Sequence, residues 1–498
     1  MRILYIDMDS TRPDHLGCYG YHRNTSPNID ALAAQGTRFE NCYVSDAPCL
    51  PSRTALFSGR CGFHTGVVNH GGTAGQPFVE GPNRGFQDSF ATTGYMAALR
   101  QQGYHTATIS SFGERHAAWH WYAGFNEVYN SGKRGMDIAD DVTPVALSWF
   151  DRNAQDENWF LHVNYWDPHT PYRTPQAYGN PFADDPHPAW ITEEVWQKLW
   201  NGFGPHSPQE PFGYADESVW YEWFYRNYPG NPDQIDSMET VKRWFDRYDT
   251  GIRYVDDHIG QLLAKLGELG VLDDTMIIIS ADHGENHGEL NVWGDHQTAD
   301  QITCRVPLIV HEPQGNRAGR VDNALHYHYD WAATLIELVG STVPANWDGR
   351  PFTEAYLEGR EEGRPFIVTS QNAWACQRGV RFDKYLLLRT YHDGFKEIDP
   401  IMLWDLAADP HEQHDLATER PDLVERGLSL LAQWYDEMAS TSTHDVDPMM
   451  TVLREGGPFH AHKNVLPNYL KRLRATGRAH HAERLERFHP QETILKFE

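Results

Sequence analysis

The sequence predicts an α/β fold: a large, mostly parallel sheet sandwiched by helices, followed by a smaller C-terminal domain with an antiparallel sheet. Three observations carry this expectation. Short apolar runs alternate with helical patterns over residues 1–360. The runs are almost continuously apolar, as strands covered on both faces must be. After about residue 360 the alternation stops, and residues 376–386 with 403–406 read as antiparallel strands. At 498 residues the chain exceeds what one small core supports, so a large domain over 1–360 and a small α+β one over 361–498 are expected.

Residues 2–8 read as the first strand. Ser26, as cap, and Pro27 open a helix that carries Ile29, Leu32 and Ala33 and stops at Gly36. A strand near 38–44 follows, and then a helix that begins around Cys49. A helix near 91–102 ends at Gly103 and leads into a strand at 104–109, and a helix near 142–153 precedes a strand at 159–165. A long helix over 238–268 ends at Gly270, before the most apolar strand, Thr275 to Ser280. Arg305 to Val310 is a further strand, and Asp330 caps a helix starting at His328. Two segments stand apart. Residues 180–235 are rich in aromatic and acidic residues (Trp190, Trp196, Trp200, Trp220, Trp223, Tyr225, Tyr228) and read either as a lid or sugar platform or as a packed insertion. The tail with Lys471, Arg472, Arg474 and Arg478 reads as a solvated basic helix.

Forty-two basic against 69 acidic residues give a formal net charge of −27. That argues against nucleic-acid or anionic-membrane binding, which need a basic face, and no apolar run is long enough to span a bilayer. A local cluster of arginine, histidine and metal can still bind an anionic substrate. The chain runs from Met1-Arg2 straight into a strand without a signal-peptide pattern, and its six cysteines are scattered rather than framing a small fold. Reduced thiols in a cytoplasm are therefore expected.

In parallel sheets ligands sit at the carboxyl ends of the strands, so the polar residues that close the strands are the candidates for chemistry. In Ala47-Pro48-Cys49-Leu50-Pro51-Ser52-Arg53 an extended segment turns into a helix. Pro51 suits the first turn, Gly59 the far end, and Cys49 faces unpaired backbone N–H groups and the positive end of the helix dipole. Such a place favours an anion or a reactive centre; the alternative is a buried apolar cysteine. Asp7 and Asp9, on one face at the end of the first strand, read as turn caps or as a metal site. Asp282 and His283 follow the most apolar strand and make a good metal edge.

The segment Cys49-x-Pro51-Ser52-Arg53 resembles the signature of the type I sulfatases, members of the alkaline phosphatase superfamily. Further passages resemble the family: Arg12-Pro13-Asp14-His15, Pro168-His169-Thr170-Pro171-Tyr172, Ser280-Ala281-Asp282-His283-Gly284, Gly294-Asp295-His296, Arg305-Val306-Pro307-Leu308 and Leu403-Trp404-Asp405-Leu406. The resemblance runs from residue 1 to about 420, without the insertion. It implies an alkaline phosphatase-like fold and oxidation of Cys49, by a formylglycine-generating enzyme, to formylglycine, whose hydrate is the nucleophile. It further implies one divalent metal on Asp9, Asp282 and His283 (asparagine in many relatives), with Arg53 and His169 at the sulfate. Calcium is the expected metal, and the histidine leaves room for manganese or magnesium. The sequence departs from the pattern at three places. Ser10 stands where a second aspartate is usual, with Asp7 or Ser10 as a helper at the metal. Asp295 and His296 stand where a lysine often follows the glycine, and Ser110 to His116 replaces a Gly-Lys-x-His segment. His296, Arg115 and His116 are the nearest cationic substitutes, with His296 the candidate acid for the leaving group. The expected function is hydrolysis of an organic sulfate ester, a sulfated sugar among the candidates. The alternatives are a phosphonate monoester or phosphodiester hydrolase of the same superfamily and a non-catalytic carbohydrate-binding protein. A homo-oligomer contact would sit on the aromatic insertion or the basic tail.

Overall fold

The computed structural model describes residues 1–80, 89–207, 227–228, 230–313, 317–461 and 465–490. Its strands are β1 (Arg2–Met8), β2 (Thr37–Tyr43), β3 (Asp46–Ala47), β4 (His105–Ile109), β5 (Glu127–Tyr129), β6 (Trp159–Tyr165), β7 (Thr275–Ser280), β8 (Asn286–His287), β9 (Trp293–Asp295), β10 (Arg305–His311), β11 (Arg320–Tyr327), β12 (Phe366–Gln371), β13 (Cys376–Phe382), β14 (Tyr385–His392) and β15 (Ile401–Asp405). Eight of them form one sheet in the order β11-β2-β10-β7-β1-β6-β4-β5. β1 lies at its centre, parallel to β6 and β7.

Period-two alternation along β1 builds two cores, one on each face. Ile3 and Tyr5 join Phe39, Phe160 and Ile278, together with Leu50 and Ala55 of the helix Cys49–Ser58 and Trp331 and Leu335 of the helix His328–Leu338. Leu4, Ile6 and Met8 join Leu161, Ile277 and Ile279, with Trp149 of the helix Ala139–Asn153 and Phe245 and Ile252 of the helix Met238–Glu268. The register sets Asp7 opposite Ser280, and Met8 opposite Tyr165. The carboxyl ends of β1, β6 and β7 therefore emerge side by side, and the residues just beyond them meet.

The second sheet has the order β15-β14-β13-β12-β3. Its four C-terminal strands are antiparallel, and β3 joins β12 in parallel. This two-residue strand locks the start of the Cys49 helix between the sheets: Val44 N donates to Cys304 O at 2.8 Å, and Ser370 N donates to Ser45 O at 2.8 Å. The helix Pro421–Thr441 covers this sheet through Leu423 and Leu431.

The large sheet is mostly parallel as expected, with β10 the strand that runs antiparallel to both its neighbours, β7 and β2. Several local expectations are corrected. The 91–102 segment is two helices, Ser89–Thr92 and Tyr95–Gln101, broken where Gly94 meets Phe90 O and Phe57 O with no room for a side chain. Ser26 occupies the cap position of its helix, but its side chain makes no cap bond; the hydroxyl accepts from Gly17 N and donates to Asp30 instead. Asp330 lies inside the first turn of its helix and reaches back to Tyr327 N while pairing with Arg364. The described part of the aromatic insertion is packed: Trp200 stacks on His206 and Trp190 on His411, and Trp196 Nε1 donates to Ile235 O. Trp220, Trp223 and Tyr225 lie outside the described residues. The basic tail is not simply solvated. Its helices Val465–Ala475 and Ala479–Phe488 close a small core around Phe395, and Arg478, 4 % exposed, donates to Gly202 O and Gly204 O. Among the described residues no helix is long and apolar enough to cross a membrane.

His64 and Asp348 form a buried pair 2.8 Å apart, and His64 Nε2 also reaches Met438 O of the C-terminal helix. Burial opposes the charge on His64, but the Asp348 contacts win and raise its pKa; the same pair lowers that of Asp348. A raised histidine contributes stability that is complete below its unfolded pKa and is lost as pH rises through the folded one. His64→Gln should therefore lower the urea midpoint at pH 6 and much less at pH 9, measured across that range. Arg478→Ala strands two carbonyls and should cost about 1.5–3 kcal/mol in the same experiment.

Candidate active site

Beyond the strand ends lies a guanidinium ringed by carboxylates. Arg53 Nε donates to Asp7 Oδ2 at 2.8 Å, and its Nη1 donates to Asp9 Oδ2 at 3.0 Å and to Asp282 Oδ2 at 2.5 Å. The group is fully buried, with its Cζ 4.9 Å from the Phe112 ring centroid and 5.3 Å from that of Trp166. Ser52 Oγ donates to Asp282 O, and His328 Nε2 donates to Ser52 O, which fixes the Cys49 helix against the loop after β7.

One cation does not balance this cluster. Burial would raise the Asp9 and Asp7 carboxyls, yet Arg53 holds both below the usual range, with His162 helping at Asp7. Asp282 goes the other way: burial, and then the like charges of Asp9 and Asp7, push its pKa well up against the pull of Arg53. Asp7 Oδ1 is buried and, among the described residues, has no hydrogen-bond partner. A site short of positive charge, with oxygen donors to spare, fits a hard divalent cation. Ser10 contributes hydrogen bonds: its N donates to Asp282 Oδ1 and its Oγ to Asp9 Oδ1. His283 is prepared as a ligand as well. Its Nδ1 donates to Gly284 O at 2.8 Å, so the lone pair is on Nε2, which lies 3.0 Å from Cys49 Sγ and 3.3 Å from Asp282 Oδ2. Burial lowers its pKa and keeps the ring neutral.

Cys49 Sγ is the corner where three groups of ligand atoms meet. It lies within 4.8 Å of donor atoms from Asp9, Asp282 and His283, from His283 and His296, and from His70 and His116. Burial and then the nearby Asp9 and Asp282 push the thiol pKa far up, so the encoded cysteine is a protonated thiol. His296 stands 4.1 Å from His283 and 5.6 Å from His169, ring to ring. Burial, followed by mutual repulsion with His283 and His169, keeps His296 neutral, and burial brings the His169 pKa down to about 3. The His169 Nδ1 is bonded to Thr170 O, which leaves Nε2 as its free nitrogen. Arg115 lies over the Trp166 ring at 5.2 Å and, among the described residues, pairs with no carboxylate.

All nine candidate residues thus belong to one neighbourhood: Asp9, Cys49, Arg53, Arg115, His116, His169, Asp282, His283 and His296. Sequence reasoning missed four more. His70 Nδ1 meets His460 Nε2 at 2.9 Å; its other nitrogen has no hydrogen-bond partner among the described residues, and the ring belongs to one group with Cys49 and His116. Arg173, 4 % exposed, donates to Thr170 O beside His169. Lys396 is buried near Asp295. None lies in a recognisable motif; a buried Arg or Lys cannot be told from an exposed one by its neighbours in sequence.

The family model described as Sulfatase matches residues 2–341. The chain belongs to the sulfatase family. Its activity is the hydrolysis of sulfuric esters, and its fold is that of the alkaline phosphatase superfamily. A second model, N-sulphoglucosamine sulphohydrolase, C-terminal, matches residues 288–428. This sulfatase is 21% identical to an N-acetylglucosamine-6-O-sulfatase of Bacteroides thetaiotaomicron, over 91% of this chain and 89% of that one. It is 26% identical to a choline-sulfatase of Rhizobium meliloti, covering 79% and 77%. A solved structure of a protein in complex with its substrate, D-glucosamine-2-N,6-O-disulfate, superposes with TM-score 0.68 at 19% identity, over 90% and 99% of the chains. A phosphonate monoester hydrolase from Silicibacter pomeroyi superposes with TM-score 0.65 at 20% identity, over 91% and 97%.

Arg53→Ala would leave three carboxylates buried without their counter-charge. It should cost about 3–5 kcal/mol, read from urea unfolding at pH 7.

Proposed function

We propose that this sulfatase cleaves an organic sulfate ester, with a sulfated sugar the leading candidate, through a formylglycine made from Cys49. The observation that carries the reading is the position of Cys49 Sγ, at the head of a helix and shared between an acidic cluster and a bank of histidines. Asp9, Asp282 and His283, with Asp7 beside them, would hold one divalent cation, calcium by the oxygen-rich donor set. Such a cation supplies Lewis acidity and lowers the pKa of a nearby hydroxyl. An aldehyde hydrate at position 49 supplies a hydroxyl nucleophile and, in its second hydroxyl, the means to expel sulfate later, so that one hard displacement becomes two easier ones.

The remaining residues bind the anion and move protons. Arg115 and His169 Nε2 offer charge and a hydrogen bond to the sulfuryl oxygens, and His116 stands behind them. Arg53 keeps Asp7 and Asp9 ionised and holds all three carboxylates in register. His296 donates a proton to the departing alcohol. Burial and two neighbouring imidazoles favour its neutral form; an anionic ester among them would favour the charged form, so that His296 takes up a proton from solvent as the substrate binds. Cys18, Cys42, Cys61, Cys304 and Cys376 stand as free thiols, in keeping with a reducing, cytoplasmic setting, and a formylglycine-generating enzyme is the implied maturation partner of Cys49. The fold likeness to phosphonate monoester hydrolases supports a second reading, hydrolysis of phosphonate monoesters or phosphodiesters. Rates on matched sulfate and phosphate diester substrates separate the two.

The deciding experiment is the mass of the peptide between Arg38 and Arg53 from protein made in its native host, where an aldehyde at Cys49 is expected and an unmodified thiol would overturn the nucleophile assignment. Cys49→Ser should abolish turnover and keep the unfolding midpoint; full activity would refute the assignment as well. Arg115→Gln should raise KM about 10-fold or more through loss of a charged hydrogen bond.

A further inference from the structure

A lysine buried without a carboxylate contact is costly, and Lys396 is such a residue. It sits in the connection between β14 and β15 and is 2 % exposed. Among the described residues its ammonium makes a single long hydrogen bond, Nζ to Gly394 O at 3.4 Å, and lies 6.0 Å from the Trp374 ring centroid. Two carboxylates, Asp393 and Asp295, act on it through space only. Against them burial wins and brings its pKa down to about 8. An ammonium with three donors and one weak acceptor lacks an anion.

The surroundings of Lys396 lead to Cys49. Trp374 stacks on His460, ring centroids 4.3 Å apart, and His460 Nε2 meets His70 Nδ1 at 2.9 Å. His70 shares its group with His116 and Cys49. The loop after β12 is tied to both sides of this wall: Gln371 Nε2 donates to His296 O at 2.7 Å, and His460 N donates to Ala373 O at 2.9 Å. The C-terminal part of the chain thus supplies one side of the active site, made of a cation, an indole face and an imidazole. Arg115, His169 and His296 surround the place where the reacting sulfate would lie. Lys396 is linked to Cys49 by the contacts of Trp374, His460 and His70, and Asp295, the neighbour of His296, acts on it through space.

We propose that Lys396, with Trp374 and His460, forms a subsite for a second anionic group, a sulfate or a carboxylate, carried by the alcohol part of the substrate. The proposal rests on the reading of Cys49 as the nucleophile, since that reading decides which end of the substrate lies where. It makes this sulfatase selective for doubly charged esters, because the second anion neutralises a buried ammonium.

The test is calorimetric binding to the full-length Cys49→Ala protein, which holds ligand without turning it over. The probes are D-glucosamine-6-O-sulfate, D-glucosamine-2-N,6-O-disulfate and a 2-O-sulfated uronic acid. At least one doubly charged probe should bind more tightly than the monosulfate. Lys396→Met, which keeps the side-chain length and removes the charge, should cut that preference by about 10- to 100-fold, the worth of one charged hydrogen bond, and Lys396→Arg should restore much of it. The subsite is overturned if all three probes bind alike, or if Lys396→Met weakens singly and doubly charged probes equally. It is overturned also if Lys396→Met leaves the preference intact. Failure of the hydrolase reading is seen separately, as absence of turnover by the mature, unmutated protein.

Discussion

The structure around the active site depends on one interaction, the buried contact of Arg53 with Asp7, Asp9 and Asp282. The three carboxylates come from the ends of adjacent strands β1 and β7, and the guanidinium from the helix that Cys49 begins. Without the cation the strand ends would repel one another; without the carboxylates the helix would have no reason to sit over them. The same contact leaves the cluster short of positive charge, and this makes the place suited to a divalent ion. Stability and function here have the same electrostatic origin, and neither can be changed alone.

Around this anchor two kinds of chemistry meet at a single sulfur atom. Cys49 has the carboxylates of Asp9 and Asp282 within reach, the imidazoles of His70, His116 and His296 as well, and His283 in the company of both. Burial favours the uncharged form of these imidazoles. Arg115 and Lys396 are the exceptions, cations held over or near indole faces rather than against carboxylates.

Much of this was legible in the residues. The alternation of apolar strands and helices gave the large sheet, and the elements at 2–8, 159–165, 238–268 and 275–280 fall where expected. Residues at strand ends, such as Asp9, Asp282 and His169, could be picked out because a polar residue directly after a buried strand has few structural uses. The misses have a common cause. Ser26 and Asp330 look like helix caps by type, but each is claimed by a partner distant in sequence or by a neighbouring turn. The tail reads as solvated because its pattern is basic; only the carbonyls of Gly202 and Gly204 explain why Arg478 is inside.

The sequence by itself determined the fold class, the strand ends that bear carboxylates, and the cysteine at the start of a helix, because local periodicity and turn chemistry act over a few residues. The tertiary structure decided which distant groups face that cysteine. His70 and His460 are 390 residues apart and share a hydrogen bond. Lys396, between β14 and β15, comes near Asp295, and β3 ties that second sheet to the start of the Cys49 helix beside β12. Contacts of that kind are fixed by how sheets pack, and no local pattern records them.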